Sequence, residues 1–189
     1  MDDTDEQVVG WSEAGDPAAF VELVWRHGPA VHAYLARRTG RQDADDLLGE
    51  VWLRAFKGRA GYDRRCPDAR PWLYGIARNV LRAHWRHASR PMVHTLEPGN
   101  SDAWSDVDVR LDAAAQRETL RQILAALSED EREVLLLVVW EELTPAEVSV
   151  ALGIPQGTAR SRLHRALSTF RSNAAINSSV LIRSYPKEV

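Results

Sequence analysis

Every sustained apolar pattern in this chain repeats at helical spacing, and no segment of any length alternates with the two-residue period of a strand. With no sheet to organise it, such a chain buries its apolar stripes by packing helix on helix. The pattern has one long interruption. Residues 90-RPMVHTLEPGNSDAWSDVDV-109 mix proline, glycine, serine and aspartate without periodicity, which reads as a tether rather than a packed element. At 189 residues the chain is long enough for two small cores. The expectation is an all-α protein: two small helical domains joined by a flexible linker. The boundaries are an N-terminal extension 1–15, a first domain 16–90, an acidic linker 91–111, a second domain 112–173 and a tail 174–189.

Local signals place the helices of the first domain. Asp16 is an N-cap with Pro17 at the first helical position, and a helical block runs to about Arg38. Phe20, Leu23, Val24, Val31, Tyr34 and Leu35 form its apolar face, and Gly28-Pro29 predicts a break within it. A second helix spans about Asp43 to Phe56, with Leu47, Val51 and Phe56 inward, supported by Leu48 and Trp52. Asp45, Asp46, Glu50 and Arg54 project outward. After the loop 58-GRAGYDRRCPDAR-70, a third helix runs from Pro71 to about His87. Trp72, Leu73, Ile76, Ala77, Val80 and Leu81 form its core face.

Charge is segregated along the chain, although the net charge is only -3. Residues 1–50 hold 11 acidic and 4 basic side chains, residues 51–90 hold 2 and 10, residues 128–147 hold 7 and 1, and residues 156–171 hold none and 4. Two separate basic surfaces on an acidic chain point to two contacts with a polyanion. Cys66 is the only cysteine, which rules out an internal disulfide and a four-cysteine zinc site. No apolar run reaches the roughly 18 residues needed to span a bilayer. The acidic start MDDTDEQVVG lacks the basic-then-apolar pattern of a secretory signal, so a soluble cytoplasmic protein is expected.

The sharpest local signature is 144-TPAEVSVALGIPQGTARSRLHRAL-167. Thr144, Pro145 and Glu147 make a capping box with proline at the first helical position. Val148, Ala151 and Leu152 face inward, Gly153 suits a left-handed cap, and Ile154 plugs the turn before a second helix near Pro155. Two helices joined by a tight glycine turn make a helix-turn-helix. On the second helix Ala159, Leu163, Ala166, Leu167 and Phe170 share one side. The other side shows Ser161, His164, Arg165 and Ser168, flanked by Arg160 and Thr158: donors throughout and no carboxylate. That set suits guanine edges and phosphates in a major groove, and it also suits a plain solvated basic face.

The first domain carries the second basic surface. Arg78, Asn79, Arg82 and Arg86 face outward on the third helix, and the preceding loop adds Tyr62, Arg64, Arg65 and Arg70. Cations interleaved with aromatics suit single-stranded nucleic acid, whose bases stack on aromatic rings. The paired carboxylates of the second helix have three readings: a metal or acid–base pair, a solvated acidic helix end that favours the N-terminal dipole, or a protein-binding face. His84 and His87 lie three apart but have no third metal ligand nearby.

Three segments, in this order and at this spacing, resemble the sigma-70-type RNA polymerase initiation factors of the extracytoplasmic-function (ECF) group. DADDLLGEVWLRAF looks like the polymerase-binding helix of region 2.2. RPWLYGIARNVLRAHWRH looks like the −10 promoter helix of regions 2.3–2.4. LSEDEREVLLLVVWEELTPAEVSVALGIPQGTARSRLHRAL looks like region 4, which binds the −35 element. The resemblance implies that Asp45, Asp46, Leu48, Glu50, Val51 and Arg54 dock on the clamp helices of the polymerase's largest subunit. It implies that Tyr62, Arg64, Arg65 and Arg70, with Trp72, Arg78, Asn79, Arg82 and Arg86, read the −10 element as single strand with a flipped base. Gln156, Thr158, Arg160, Ser161, His164 and Arg165 would hold the −35 duplex. Further implications are no catalytic activity, no cofactor and no metal, with core polymerase, promoter DNA and an anti-sigma factor or other regulator as partners. Gly49 stands where the family often has glutamine, and Ala159 where it usually has valine. The rival readings are an autonomous helix-turn-helix repressor, which needs a sensing or dimerisation element, and a metal-dependent nuclease built on Asp45, Asp46 and the histidines.

Overall fold

Helices are the only long regular elements in the computed structural model, which describes residues 4–14, 16, 18–63, 66–88 and 120–176. They are α1 (Asp5–Glu13), α2 (Ala19–Thr39), α3 (Arg41–Gly58), a 3-10 turn (Arg59–Gly61), α4 (Arg70–Ala88), α5 (120–126), α6 (Glu129–Val139), α7 (Pro145–Leu152) and α8 (Gln156–Ile176). The linker and residues 177–189, including Val180, Leu181 and Ile182, lie outside the described residues, and α8 runs on through 174–176, which were expected to belong to the tail.

In the first half α2, α3 and α4 converge on Leu23, Val31, Leu35, Val51, Leu73 and Leu81, all buried. Two expectations change here. Asp16 is not the N-cap of α2, which is Ala18; from three residues ahead of the helix its Oδ1 accepts from the amides of Ala18 (3.0 Å) and Ala19 (3.4 Å). The break at Gly28-Pro29 is absent, because α2 runs through it. Proline removes the bond to the carbonyl four residues back, and here that residue, Trp25, is on the exposed face beside an exposed Pro29. Water can take the orphaned carbonyl, while buried Leu23 and Val31 hold the helix straight onto the core on either side.

The N-terminal extension, given no role from sequence, supplies a helix. Thr4 and Gln7 form a capping box that starts α1. Val8 and Val9 join the core. Asp5 is buried and ties three elements together: it accepts from Arg26 Nη1 (2.6 Å), His27 Nε2 (2.8 Å) and the Ala69 amide (2.8 Å). Burial alone would raise its carboxyl pKa, but the hydrogen bonds from His27, Ala69 and Arg26 outweigh burial and hold it below the usual carboxylate value.

In the second half the expected capping box of Thr144 with Glu147 forms on α7, and Ser128 with Glu131 makes another on α6 that was not among the expectations. Gly153 ends α7 in the left-handed region, at φ 64° and ψ 37°. Val148, Ala159, Leu163 and Ala166 close the helix-turn-helix onto Leu135 and Leu137 of α6. α5, α6 and α8 flank an apolar groove of about 790 Å³ lined by Leu124, Leu135, Val139, Leu167 and Phe170.

The two halves pack against each other through α4 and α7. Helix backbones come this close because residue 75 is glycine: a Cβ there would meet the Ala151 carbonyl oxygen at 2.9 Å.

Candidate nucleic-acid interface

The turn at Gly153 sets the direction of α8, and its apolar stripe fixes its rotation. Burying Ala159, Leu163 and Ala166 leaves Gln156, Arg160, Ser161, His164, Arg165 and Ser168 on the outer side, with Thr158 half-buried. Arg160 and His164 have no hydrogen-bond or ion-pair partner among the described residues. Ser161 donates to the Thr158 carbonyl (3.0 Å), so its hydroxyl proton is committed within the helix. Arg165 Nε reaches Glu131 (2.9 Å), and Arg162 Nη2 reaches Asp130 (2.7 Å). Glu131 is held below its usual pKa, first by the Ser128 hydroxyl and further by Arg165. Thus the acidic first turn of α6 neutralises part of the basic face of α8.

On α4, Arg78, Arg82 and Arg86 recur every fourth residue and so line one side of the helix. Asn79, Arg82 and Arg86 are exposed and Arg78 is half-buried. Arg82 Nη2 lies 3.5 Å from Glu129, also in the first turn of α6. Tyr62 is not on this surface. It is buried, donates its hydroxyl to the Cys66 carbonyl and packs edge-on to the half-buried Trp72 at 5.3 Å. A ring so packed cannot stack on a base, and the apolar wall of Trp72 is the physical reason. Arg70 is turned back onto Asp68 (2.7 Å). Arg64 and Arg65 lie outside the described residues.

The third surface is on α3. Asp45 and Asp46 are exposed, and Asp45 accepts from His32 Nε2 (2.9 Å). Glu50 and Arg54 pair one turn apart (2.6 Å), and Leu48 is half-buried. Val51, placed on this surface by resemblance, is instead fully buried in the core, as its inward helical position dictates. Sequence reasoning missed three exposed apolar side chains nearby: Val21 and Trp25 on α2 and Leu53 on α3. Trp25 is 77% exposed, and its position off the Leu23–Val31–Leu35 stripe was the available signal.

His84 Nε2 lies 3.6 Å from Asp43 Oδ2. Asp5, His27 and Asp68 bring donor atoms within 4.8 Å of one another, at metal-ligand spacing. Their oxygens already accept from Arg26, Ala69 and Arg70, so the cluster works as an internal clamp on the loop before α4.

Comparison with known proteins agrees with this arrangement. Residues 23–91 match the family described as Sigma-70 region 2, and residues 117–170 match Sigma-70, region 4. The chain is 30% identical to the ECF RNA polymerase sigma factor SigL of Mycobacterium tuberculosis, over 86% of this chain and 93% of that protein. It is 32% identical to the RNA polymerase sigma factor CarQ of Myxococcus xanthus, over 83% of this chain and 90% of that protein. The fold resembles CnrH, solved with the cytosolic domain of CnrY, with a TM-score of 0.64 at 23% identity, covering 93% of this chain and 100% of that one. It also resembles the sigma factor RpoE of Bartonella quintana, solved with the anti-sigma factor NepR, with a TM-score of 0.60 at 18% identity, covering 84% and 98%. With region 2 in its first half, region 4 in its second and full-length relatives of the same kind, the chain belongs to the ECF group of sigma-70-type RNA polymerase sigma factors, which direct promoter recognition and transcription initiation.

Proposed function

We propose that the chain divides promoter recognition between α8 and α4 and holds polymerase through α3, with no catalytic step of its own. The observation that carries this reading is the outward face of α8, a helix N-terminal half bearing Gln156, Arg160, His164 and Arg165 with no carboxylate among them. Arginine forks pair with guanine edges in the major groove, and the remaining cations hold phosphates. Arg78, Asn79, Arg82 and Arg86 of α4 follow the single strand at −10, where stacking and phosphate contacts offset the few kcal/mol of unstacking a base. Tyr62 supports that helix from the core. Asp45, Asp46, Leu48, Glu50 and Arg54 form the polymerase-facing patch of α3.

An anti-sigma protein or other regulator is part of this reading, since the structural neighbour RpoE was solved with an anti-sigma factor. So is a cytoplasmic location; no described helix is long and apolar enough to cross a membrane.

Run-off transcription with core polymerase and genomic fragments tests the proposal. Promoter-specific RNA is expected only when the chain is present. Arg160→Ala with Arg165→Ala should abolish use of that promoter and leave polymerase binding intact. The salt slope of DNA binding should fall by about 1 for each phosphate that is no longer neutralised. Unchanged promoter use by the double variant would refute the assignment of α8.

A further inference from the structure

Promoter reading leaves the N-terminal helix α1 without a role, yet α1 touches the loop that precedes α4 at both of its ends. At the exit of the loop, Asp5 Oδ2 accepts from the Ala69 amide (2.8 Å) and from His27 Nε2 (2.8 Å), while Oδ1 accepts from Arg26 Nη1 (2.6 Å). Ala69 is the residue on which α4 starts, because its carbonyl accepts from the Leu73 amide (2.9 Å). At the entrance, Arg59 Nε donates to the Ser12 carbonyl (3.4 Å) and Nη1 to the Phe56 carbonyl (2.6 Å). Asp5 and Ser12 lie about two turns apart on α1, so one helix spans the base of the loop.

Apolar packing does little to hold this loop. Tyr62 and Ala69 are buried, but Asp63 and Pro67 between them are exposed, and Cys66 and Asp68 are only half-buried. Polar bonds fix it instead. Tyr62 donates its hydroxyl to the Cys66 carbonyl, the Cys66 amide donates to the Asp63 carbonyl (2.9 Å), and Asp68 accepts from the Arg70 amide (2.8 Å) and from Arg70 Nε (2.7 Å). These bonds stitch the loop to itself and to the start of α4. The bonds to Asp5 and Ser12 tie it to α1, and through Arg26 and His27 the Asp5 carboxylate is fixed to α2 as well.

A loop with few buried contacts opens locally unless such ties prevent it. Ordering it on DNA costs binding free energy, whereas a loop set in place beforehand avoids that cost. A loop held in one geometry also cannot adapt to a wrong base, so the hold acts on choice as well as on affinity.

We propose that Asp5 is a positioning residue of the −10 reader. Through the Ala69 amide it fixes the loop 62–69 and the first turn of α4 in the geometry that meets the single strand, and Arg59 on the Ser12 carbonyl holds the other end. α1 thereby takes part in promoter discrimination without touching DNA. The inference rests on the −10 reading proposed above for α4.

The test uses the full chain with core polymerase on a promoter found by run-off transcription, beside the same promoter with single-base changes in its −10 element. The ratio of RNA from the intact element to RNA from the changed ones measures discrimination. Asp5→Ala should lower that ratio about tenfold and leave the response to −35 changes as in wild type. Asp5→Asn keeps a carbonyl oxygen for the Ala69 amide and offers its own amide to the His27 ring, so it should retain the wild-type ratio. Val31→Ala trims a buried side chain of α2 that cannot hydrogen-bond to the loop; it lowers stability through a cavity and should also retain the ratio. A wild-type ratio for folded Asp5→Ala, an equal loss in Val31→Ala, or a ratio for Asp5→Asn as low as that for Asp5→Ala would overturn the proposal. Should Asp5→Ala be unfolded at the assay temperature, Arg59→Ala decides, because half-buried Arg59 lies outside the core. Its ratio should fall about threefold with the salt slope of promoter binding unchanged. An unchanged ratio, or a slope lower by about 1 as for a lost phosphate contact, would overturn the tie. If the wild-type chain itself does not discriminate at −10, the reading of α4 fails and this proposal with it; wild-type discrimination that survives in Asp5→Ala defeats the proposal alone.

Discussion

Replacing Asp5 with alanine removes one carboxylate and strands three donors at once. Two of them, the His27 ring N–H and the Ala69 amide, bond a buried oxygen at 2.8 Å. Each buried donor left unpaired costs about 1–3 kcal/mol. Arg26, 30% exposed, can return to water, so its share is about 1 kcal/mol at most. The sum is about 2–7 kcal/mol, and the roughly 3–5 kcal/mol typical of breaking a buried ion pair from one side lies within it and is taken here. For a chain of this size each kcal/mol moves the midpoint by about 2–4 °C, so thermal unfolding followed by tryptophan fluorescence should show Tm lower by roughly 6–20 °C. Asp5→Asn keeps an acceptor oxygen but loses the charge, and its Tm should fall between those of wild type and Asp5→Ala. The pH dependence has a definite sign. A carboxyl held below its unfolded value stabilises the fold above that value, about pH 3.9, and loses this contribution as pH falls through the lowered folded pKa. The gap between wild type and Asp5→Asn should therefore close in acid. A Tm shift under about 2 °C for Asp5→Ala at neutral pH would refute the role of α1 as an anchor.

Gly153 sits at φ 64°, so Gly153→Ala should destabilise region 4 by about 1 kcal/mol and weaken binding to a −35 duplex, as read by urea unfolding and a DNA titration. Unchanged stability would mean that the turn adjusts to another conformation. Asp46→Ala with Glu50→Ala alters two side chains that are not in the core. It should leave unfolding within about 0.5 kcal/mol of wild type while weakening core polymerase binding about tenfold or more in a fluorescence titration. Equal affinity for the double variant would remove α3 as the docking patch.

What could be read in the sequence was what local rules determine. The capping box at Thr144, the left-handed Gly153 and the apolar stripe of α8 depend on residues within one or two turns of each other. The extension had no role from sequence, although Thr4 and Gln7 carry the capping-box pattern that starts α1, and Asp5 gave no sign of its partners. Exposure of Arg160, His164 and Arg165 followed from helical phase alone, as did the Arg78–Arg82–Arg86 row.

The tertiary structure decided what depends on residues far apart in the chain. Pro29 stays inside α2 because the flanking residues pack and its orphaned carbonyl faces solvent, which no local propensity encodes. Tyr62, an aromatic in a basic loop, reads as a base-stacking residue until Trp72 closes over it. The clearest case is the acidic stretch 128–147, whose composition suggests only a solvated face. Its partners Tyr34, Arg37, Arg38 and Arg82 lie 47 to 104 positions away, and only folding brings these charges together and puts Ala151 against Gly75. Side chains on one helix follow its period, whereas contacts between helices follow their packing, and in this chain the meeting of the two halves depends on that packing.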